Sequence, residues 1–166
     1  LGWEAVGLRC PDHAINFESE SDTTWPVTLI QMPNGTGKTT TLELLRIALS
    51  GGRGPGTLTP DAIRLLQQLP TSDKTGTFLL SLMCDERRYT IDLQFDFEEG
   101  TLDIHTTGPT GGKKNGFHPP LAVTKFLTAE FVNFFVFDGE LAADLLDSTM
   151  TNADRAIEGL FQLRLL

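Results

Sequence analysis

The sequence predicts an α/β fold in which a Gly-rich turn joins a short apolar strand to a helix, followed by a β-meander. Three observations carry that prediction. Val27-Thr28-Leu29-Ile30 is a compact, β-branched run with the character of a buried strand, and it breaks at once into Asn34-Gly35-Thr36-Gly37. From about Lys38 to Ser50, apolar residues recur at helical spacing. Farther on, Tyr89, Ile91, Leu93, Phe95 and Phe97 alternate with polar residues, the pattern of a half-buried antiparallel strand.

The elements follow in order. Trp3 to Leu8 and Ala14 to Phe17 read as short strands, and Glu18 to Thr24 as a polar loop. In the helix over 38–50, Leu42, Leu45 and Leu49 fall on one face, and Leu44, Ile47 and Ala48 widen the apolar surface, so burial on more than one side is expected. Gly51-Gly52 supplies its C-terminal cap. A Gly/Pro-rich loop, Arg53 to Thr59, leads to a short helix over Pro60 to Leu69, with Pro60 near its start. Thr77 to Cys84, Tyr89 to Phe97 and Leu102 to Thr106 form the meander, with a tight turn at Glu99-Gly100. Gly108 to Gly116 reads as a flexible, solvated loop; a phosphate contact from its Lys113 or Lys114 is the alternative. Leu121 to Thr128 is a candidate helix, Phe131 to Phe137 a buried aromatic strand, and Glu140 to Leu146 a helix. There is no internal repeat.

With 166 residues, 40% of them hydrophobic and 21% charged, the chain suits one domain or one lobe of a larger one. A net charge of −9 argues against a surface that grips nucleic acid by bulk electrostatics. Cys10 and Cys84 lack metal-ligand spacing and read as reduced thiols, and His13, His105 and His118 read as structural or solvated. Trp3 and Trp25 read as packing residues, because neither sits in a basic stretch. No signal peptide and no apolar run near the ~18 residues of a membrane span is visible, so a cytoplasmic location without membrane association is expected. The sequon Asn34-Gly35-Thr36 is discounted for the same reason. The chain opens without Met and ends in an apolar, helix-like run over 156–166, where further polypeptide or a partner is expected to pack.

Asn34-Gly35-Thr36-Gly37-Lys38-Thr39 carries the chemistry. Glycines between a strand and a helix let main-chain N–H groups turn toward phosphate oxygens without a Cβ in the way. The helix start adds unpaired N–H groups and the positive end of its dipole. In such a P-loop, Lys38 reaches the β- and γ-phosphates, the Thr39 hydroxyl ligates Mg²⁺, and Thr40 is a candidate donor to the α-phosphate. The motif departs from the full pattern in one place: Met32 stands where the first Gly would be. Pro33 holds the residue before it extended, so a positive φ is not needed there. ATP with Mg²⁺ is the expected ligand.

The string Met32-Pro33-Asn34-Gly35-Thr36-Gly37-Lys38-Thr39-Thr40-Thr41-Leu42-Glu43 resembles the P-loop of ABC-type heads in SMC-like ATPases. Phe134-Phe135-Val136-Phe137-Asp138-Gly139-Glu140-Leu141 resembles a segment of DndD-type ATPases, SMC-like proteins of bacterial DNA phosphorothioation systems. The resemblance implies the N-terminal lobe of such a head over 1–150, with the root of a coiled coil over 151–166. It implies that Asp138 sits at the Q-loop, near Mg²⁺ and the attacking water; a carboxylate suits Mg²⁺, which prefers hard oxygen ligands. Two alternatives stay open: a Walker B strand with Asp138 on the metal and Glu140 as base, or a plain strand end. Arg9 matches a basic residue that contacts phosphates in relatives, with a surface arginine as the alternative; Arg53 is undecided.

The resemblance also implies partners. A C-terminal lobe carrying the signature motif, Walker B and switch His belongs to the same head, and a second head, in a homodimer, closes over the γ-phosphate. The expected function is ATP hydrolysis coupled to DNA transactions in modification, defence or repair, with DNA contacted by the full assembly. The alternative is a nucleotide-dependent scaffold or binding module without turnover. A P-loop phosphotransferase would need a lid and an acceptor site, for which the sequence offers no candidate.

Overall fold

The computed structural model describes residues 1–18, 27–53, 58–69 and 73–136. The expectations for Trp25, Asp138, Glu140, the helix over 140–146, the boundary at 150 and the segment 151–166 fall outside this set. The described residues combine α and β structure around a six-stranded antiparallel sheet of order β2-β1-β3-β4-β5-β6. Its strands are β1 (Gly2–Val6), β2 (His13–Asn16), β3 (Thr75–Cys84), β4 (Arg87–Asp96), β5 (Thr101–Thr107) and β6 (Lys113–Asn115). The helices are α1 (Lys38–Ser50), α2 (Pro60–Arg64), α3 (Leu121–Thr124) and α4 (Ala129–Phe135). Among the described residues no helix is long and apolar enough to cross a membrane.

Alternation builds the sheet. The register sets Ala5 beside Phe78, Phe78 beside Leu93 and Leu93 beside Ile104, so one row of apolar side chains crosses four strands. A second row runs from Trp3 through Leu80 and Ile91 to Thr106. Phe78 and Leu93 are fully buried, and each such side chain contributes roughly 1.5–3 kcal/mol of burial free energy. The row one residue out of phase is polar at its end: Asp92, His105 and Asn115 lie side by side on the opposite face. Trp3 packs edge-on against Phe17 with centroids 5.3 Å apart, the packing role its sequence context implied.

The β3–β4 hairpin turns on two residues, Asp85 and Glu86, with φ of 49° and 60°. Two positive φ values make a type I′ turn, whose twist matches that of the strands. The β4–β5 turn is held by Asp96, whose Oδ1 accepts from the N–H groups of Glu98 and Glu99, both at 2.9 Å. At Gly100 (φ 68°) a Cβ would meet the Pro60 Cα at 2.8 Å, so this turn is fitted against the start of α2.

Helix α1 lies on the apolar face with Thr41, Leu44, Ile47 and Ala48 buried. Leu42, Leu45 and Leu49 are half-buried, and Leu45 and Leu49 pack against this core. Gly51 ends the helix with φ 65°, and the Gly52 N–H donates to the Ile47 carbonyl at 2.9 Å, the cap expected of Gly51-Gly52.

Four expectations are corrected. Val27–Ile30 is not a buried strand: it lies outside the sheet, with Val27 and Leu29 85% and 91% exposed. β propensity reports fit to a ladder, and no strand among the described residues flanks this run. Residues 131–135 are helical, within α4, not a strand. Thr128 caps that helix by accepting from the Phe131 N–H at 3.3 Å, and Phe131 stacks on Phe135 one turn later, with centroids 4.3 Å apart. A continuous apolar run does not fix the period, and here the cap decided it. Lys113 lies in β6 rather than a flexible loop, and its Nζ meets Asp92 Oδ2 at 2.7 Å. Both short helices stop early, α2 at Arg64 and α3 at Thr124.

Candidate phosphate-binding loop

The candidate site is the N-terminal end of α1. Asn34 and Gly35 form a turn, Thr36 and Gly37 a bend, and the helix begins at Lys38. Gly35 and Gly37 have φ of 80° and 87°. Asp85 and Glu86 are the non-glycine residues with positive φ among the described residues, so Thr36 between the two glycines has a negative φ. Such an alternation in the sign of φ is a feature of anion nests, in which successive N–H groups turn toward one side. Among the described residues the N–H groups of Gly35, Thr36 and Gly37 donate to no main-chain carbonyl. No side chain caps α1 either; its N-cap is Gly37.

The two glycines are required for different reasons. A Cβ on Gly37 would run into the Arg9 carbonyl and sit 2.8 Å from the Cys10 Cα. Around Gly35 a Cβ would meet nothing within 4 Å, so the mouth of the loop is open there. One glycine thus packs the loop against the chain behind it, and the other faces open space.

Lys38 and Thr36 fold over this turn. Lys38 Nζ donates to Asn34 Oδ1 at 2.9 Å, to the Pro33 carbonyl at 3.2 Å and to the Met32 carbonyl at 3.3 Å. Thr36 Oγ1 donates to the same Pro33 carbonyl at 2.7 Å. Thr39 is exposed on the first turn of α1, and Thr40 is half-buried beside it. Behind the loop, Thr41 Oγ1 donates to the Gly37 carbonyl at 2.9 Å.

The structure brings the sequence-selected residues 34 to 40 together and sets Arg9 beside them. The Arg9 main chain touches Gly37, its N–H donates to the Leu66 carbonyl at 2.7 Å, and its side chain is exposed. Asp138 and Glu140 lie outside the described residues; the chain is described up to Val136, whose carbonyl accepts from Arg46 Nε at 2.6 Å. Among the described residues no cluster of three His, Cys, Asp or Glu side chains could hold a metal. A Mg²⁺ bound between Thr39 and a phosphate would not need one.

Sequence reasoning missed the layer behind the loop. Cys10 is buried beneath Gly37, and its thiol is pushed up to about 11 by burial, against the opposing hydrogen bond to Thr41. A cleft of about 440 Å³ lies at the far end of α1, beside Gly51, Arg53, Asp103, His105 and Phe117. A helix of this length separates it from the loop by about 20 Å, so it is no part of the candidate loop.

No protein-family model matches the chain, and no curated protein is detectably similar to it.

Proposed function

We propose that the chain binds a nucleoside triphosphate, ATP with Mg²⁺, at residues 34–39, as the N-terminal lobe of an ABC/SMC-type P-loop ATPase head. One observation carries the reading: left-handed Gly35 and Gly37 bracket Thr36 at the mouth of a buried helix, with the Lys38 ammonium folded over the opening. That set fits a polyphosphate. An added Cβ on Gly35 would meet nothing within 4 Å, the N–H groups of residues 35–37 donate to no described main-chain carbonyl, and a lysine ammonium lies at the turn.

In this reading the main chain of 35–38 holds the phosphates, Lys38 neutralises charge at the β- and γ-positions, and Thr40 donates to the α-phosphate. The Thr39 hydroxyl is a Mg²⁺ ligand, and bound ATP supplies the phosphoanhydride to be cleaved. By the family likeness, Asp138 joins the metal's shell, Arg9 adds positive charge at the mouth, and Glu140 is the candidate base. Hydrolysis then requires a C-terminal lobe and a second head, and couples to DNA.

The test is titration of a fluorescent ATP analogue, with and without Mg²⁺, against the protein and Lys38→Ala. Loss of the ammonium is expected to weaken binding at least tenfold, about 1.4 kcal/mol or more. Equal affinities for the two proteins would remove the assignment.

A further inference from the structure

We infer that the Asn34 carboxamide is a stand-in ligand for the Lys38 ammonium, occupying it in the ligand-free loop and giving way when a phosphate arrives. The inference rests on the reading of this loop as a phosphate site, and it adds a positioning residue that sets the affinity of that site.

The argument begins with donors. An ammonium has three N–H donors and no acceptor. Lys38 Nζ meets three acceptors, Asn34 Oδ1, the Pro33 carbonyl and the Met32 carbonyl, with Asn34 the shortest at 2.9 Å. The ligand-free ammonium is therefore saturated from within the loop. To hold a phosphate oxygen it must release one of the three.

The three are not equally releasable. The Pro33 carbonyl also accepts from Thr36 Oγ1 at 2.7 Å, which ties it to the turn. Moving either carbonyl means turning a peptide plane next to Pro33, whose ring fixes φ. Asn34 is exposed, and its carboxamide can swing away by side-chain rotation alone, within the timescale of an exposed rotamer. It also stands in the turn next in sequence to Gly35, where an added Cβ would meet nothing within 4 Å beyond the adjoining residues. The carboxamide oxygen is a neutral acceptor, strong enough to hold the amine over the mouth and weaker than a charged phosphate oxygen in the same exchange.

Replacing the acceptor separates this role from a structural one, because two substitutions push in opposite directions. In Asn34→Ala the ammonium loses its releasable partner. In Asn34→Asp it gains an ionic one. The first readout needs no nucleotide: the rate at which a small amine-acylating reagent modifies Lys38 in the ligand-free protein, followed by peptide mass spectrometry with exposed Lys125 as the internal reference. The expected rate rises roughly three- to tenfold for Asn34→Ala and falls below wild type for Asn34→Asp. The second readout is the dissociation constant for inorganic tripolyphosphate and for MgATP. It is expected to fall severalfold for Asn34→Ala and to rise tenfold or more for Asn34→Asp.

Equal labelling of Lys38 in all three proteins overturns the inference whatever the binding data show. Weaker tripolyphosphate binding by Asn34→Ala also overturns it, since Asn34 would then belong to the cradle rather than compete with its occupant. If labelling shifts as expected but no protein binds either polyphosphate, the internal hold on Lys38 stands and the nucleotide assignment alone falls.

Discussion

Arg46 Nε donates to the Val136 carbonyl at 2.6 Å, joining the middle of α1 to the end of α4 across ninety positions of sequence. Val136 is the C-cap of α4, so the guanidinium meets a carbonyl at the negative end of a helix dipole. Val132, 3% exposed, lies one turn earlier in α4. The helix that presents the candidate phosphate loop thus also holds the chain just before Asp138. Arg46→Met keeps much of the stem and removes the donor. It is expected to lower stability by about 1–2 kcal/mol, the range for a partly buried charge-assisted bond. An unchanged urea midpoint would show that the contact holds nothing.

Gly35→Ala and Gly37→Ala should differ sharply. Both positions have left-handed φ, so each substitution carries about 1–2 kcal/mol of backbone strain. At Gly35 the added methyl enters open space. At Gly37 it strikes the Arg9 carbonyl and the Cys10 backbone, and either the turn at 9–10 or the start of α1 must move. Gly37→Ala is therefore expected to cost at least about 1 kcal/mol more than Gly35→Ala in thermal or urea unfolding. Equal losses would mean that the loop does not pack on Arg9 and Cys10 as described.

The type I′ hairpin carries a removable strain. Glu86 sits at φ 60°, where a side chain beyond Asn or Asp is unfavourable and glycine is at ease. Glu86→Gly is expected to stabilise the protein by about 0.5–1 kcal/mol, read as a raised urea midpoint with an unchanged slope. A lower midpoint would show that the glutamate side chain, or the entropy lost by glycine, outweighs the backbone gain.

These positions show what could be read from residues alone. The meander was legible because Tyr89 to Phe97 alternates strictly and each strand pairs with its neighbour in sequence. The limits of α1 were legible because Gly37 and Gly51 flank it with left-handed caps. Val27–Ile30 misled because β-branched residues report a taste for a ladder, not the presence of one. Residues 131–135 misled because an unbroken apolar run has no period, and the signal that settles it, Thr128 as N-cap, lies outside the run. Lys113 was invisible as a strand residue because its partner, Asp92, is twenty-one residues away in sequence. At the candidate site, the order Gly-Thr-Gly-Lys-Thr specified the turn and the lysine. The packing of Cys10 and Thr41 behind it is tertiary, and no local pattern encodes it.

The buried thiol behind the loop gives a pH dependence. Burial raises Cys10 from 9.0 to about 11, with the Thr41 hydrogen bond opposing and Asp12 adding to the rise. Well below pH 9 the thiol is protonated in both folded and unfolded chains and contributes no slope. Between about 9 and 11 the unfolded chain loses this proton and the folded chain keeps it. The unfolded state then binds fewer protons, so stability falls as pH rises through that window and levels off above it. Cys10→Ala removes the group. Contributions common to both proteins cancel in the difference. The stability of wild type relative to Cys10→Ala should therefore shrink from pH 8.5 to pH 10.5, measured by urea unfolding under reducing conditions. Parallel curves across that range would mean that the thiol reaches water in the folded protein, and that the turn at residues 9–10 does not seal the base of the loop.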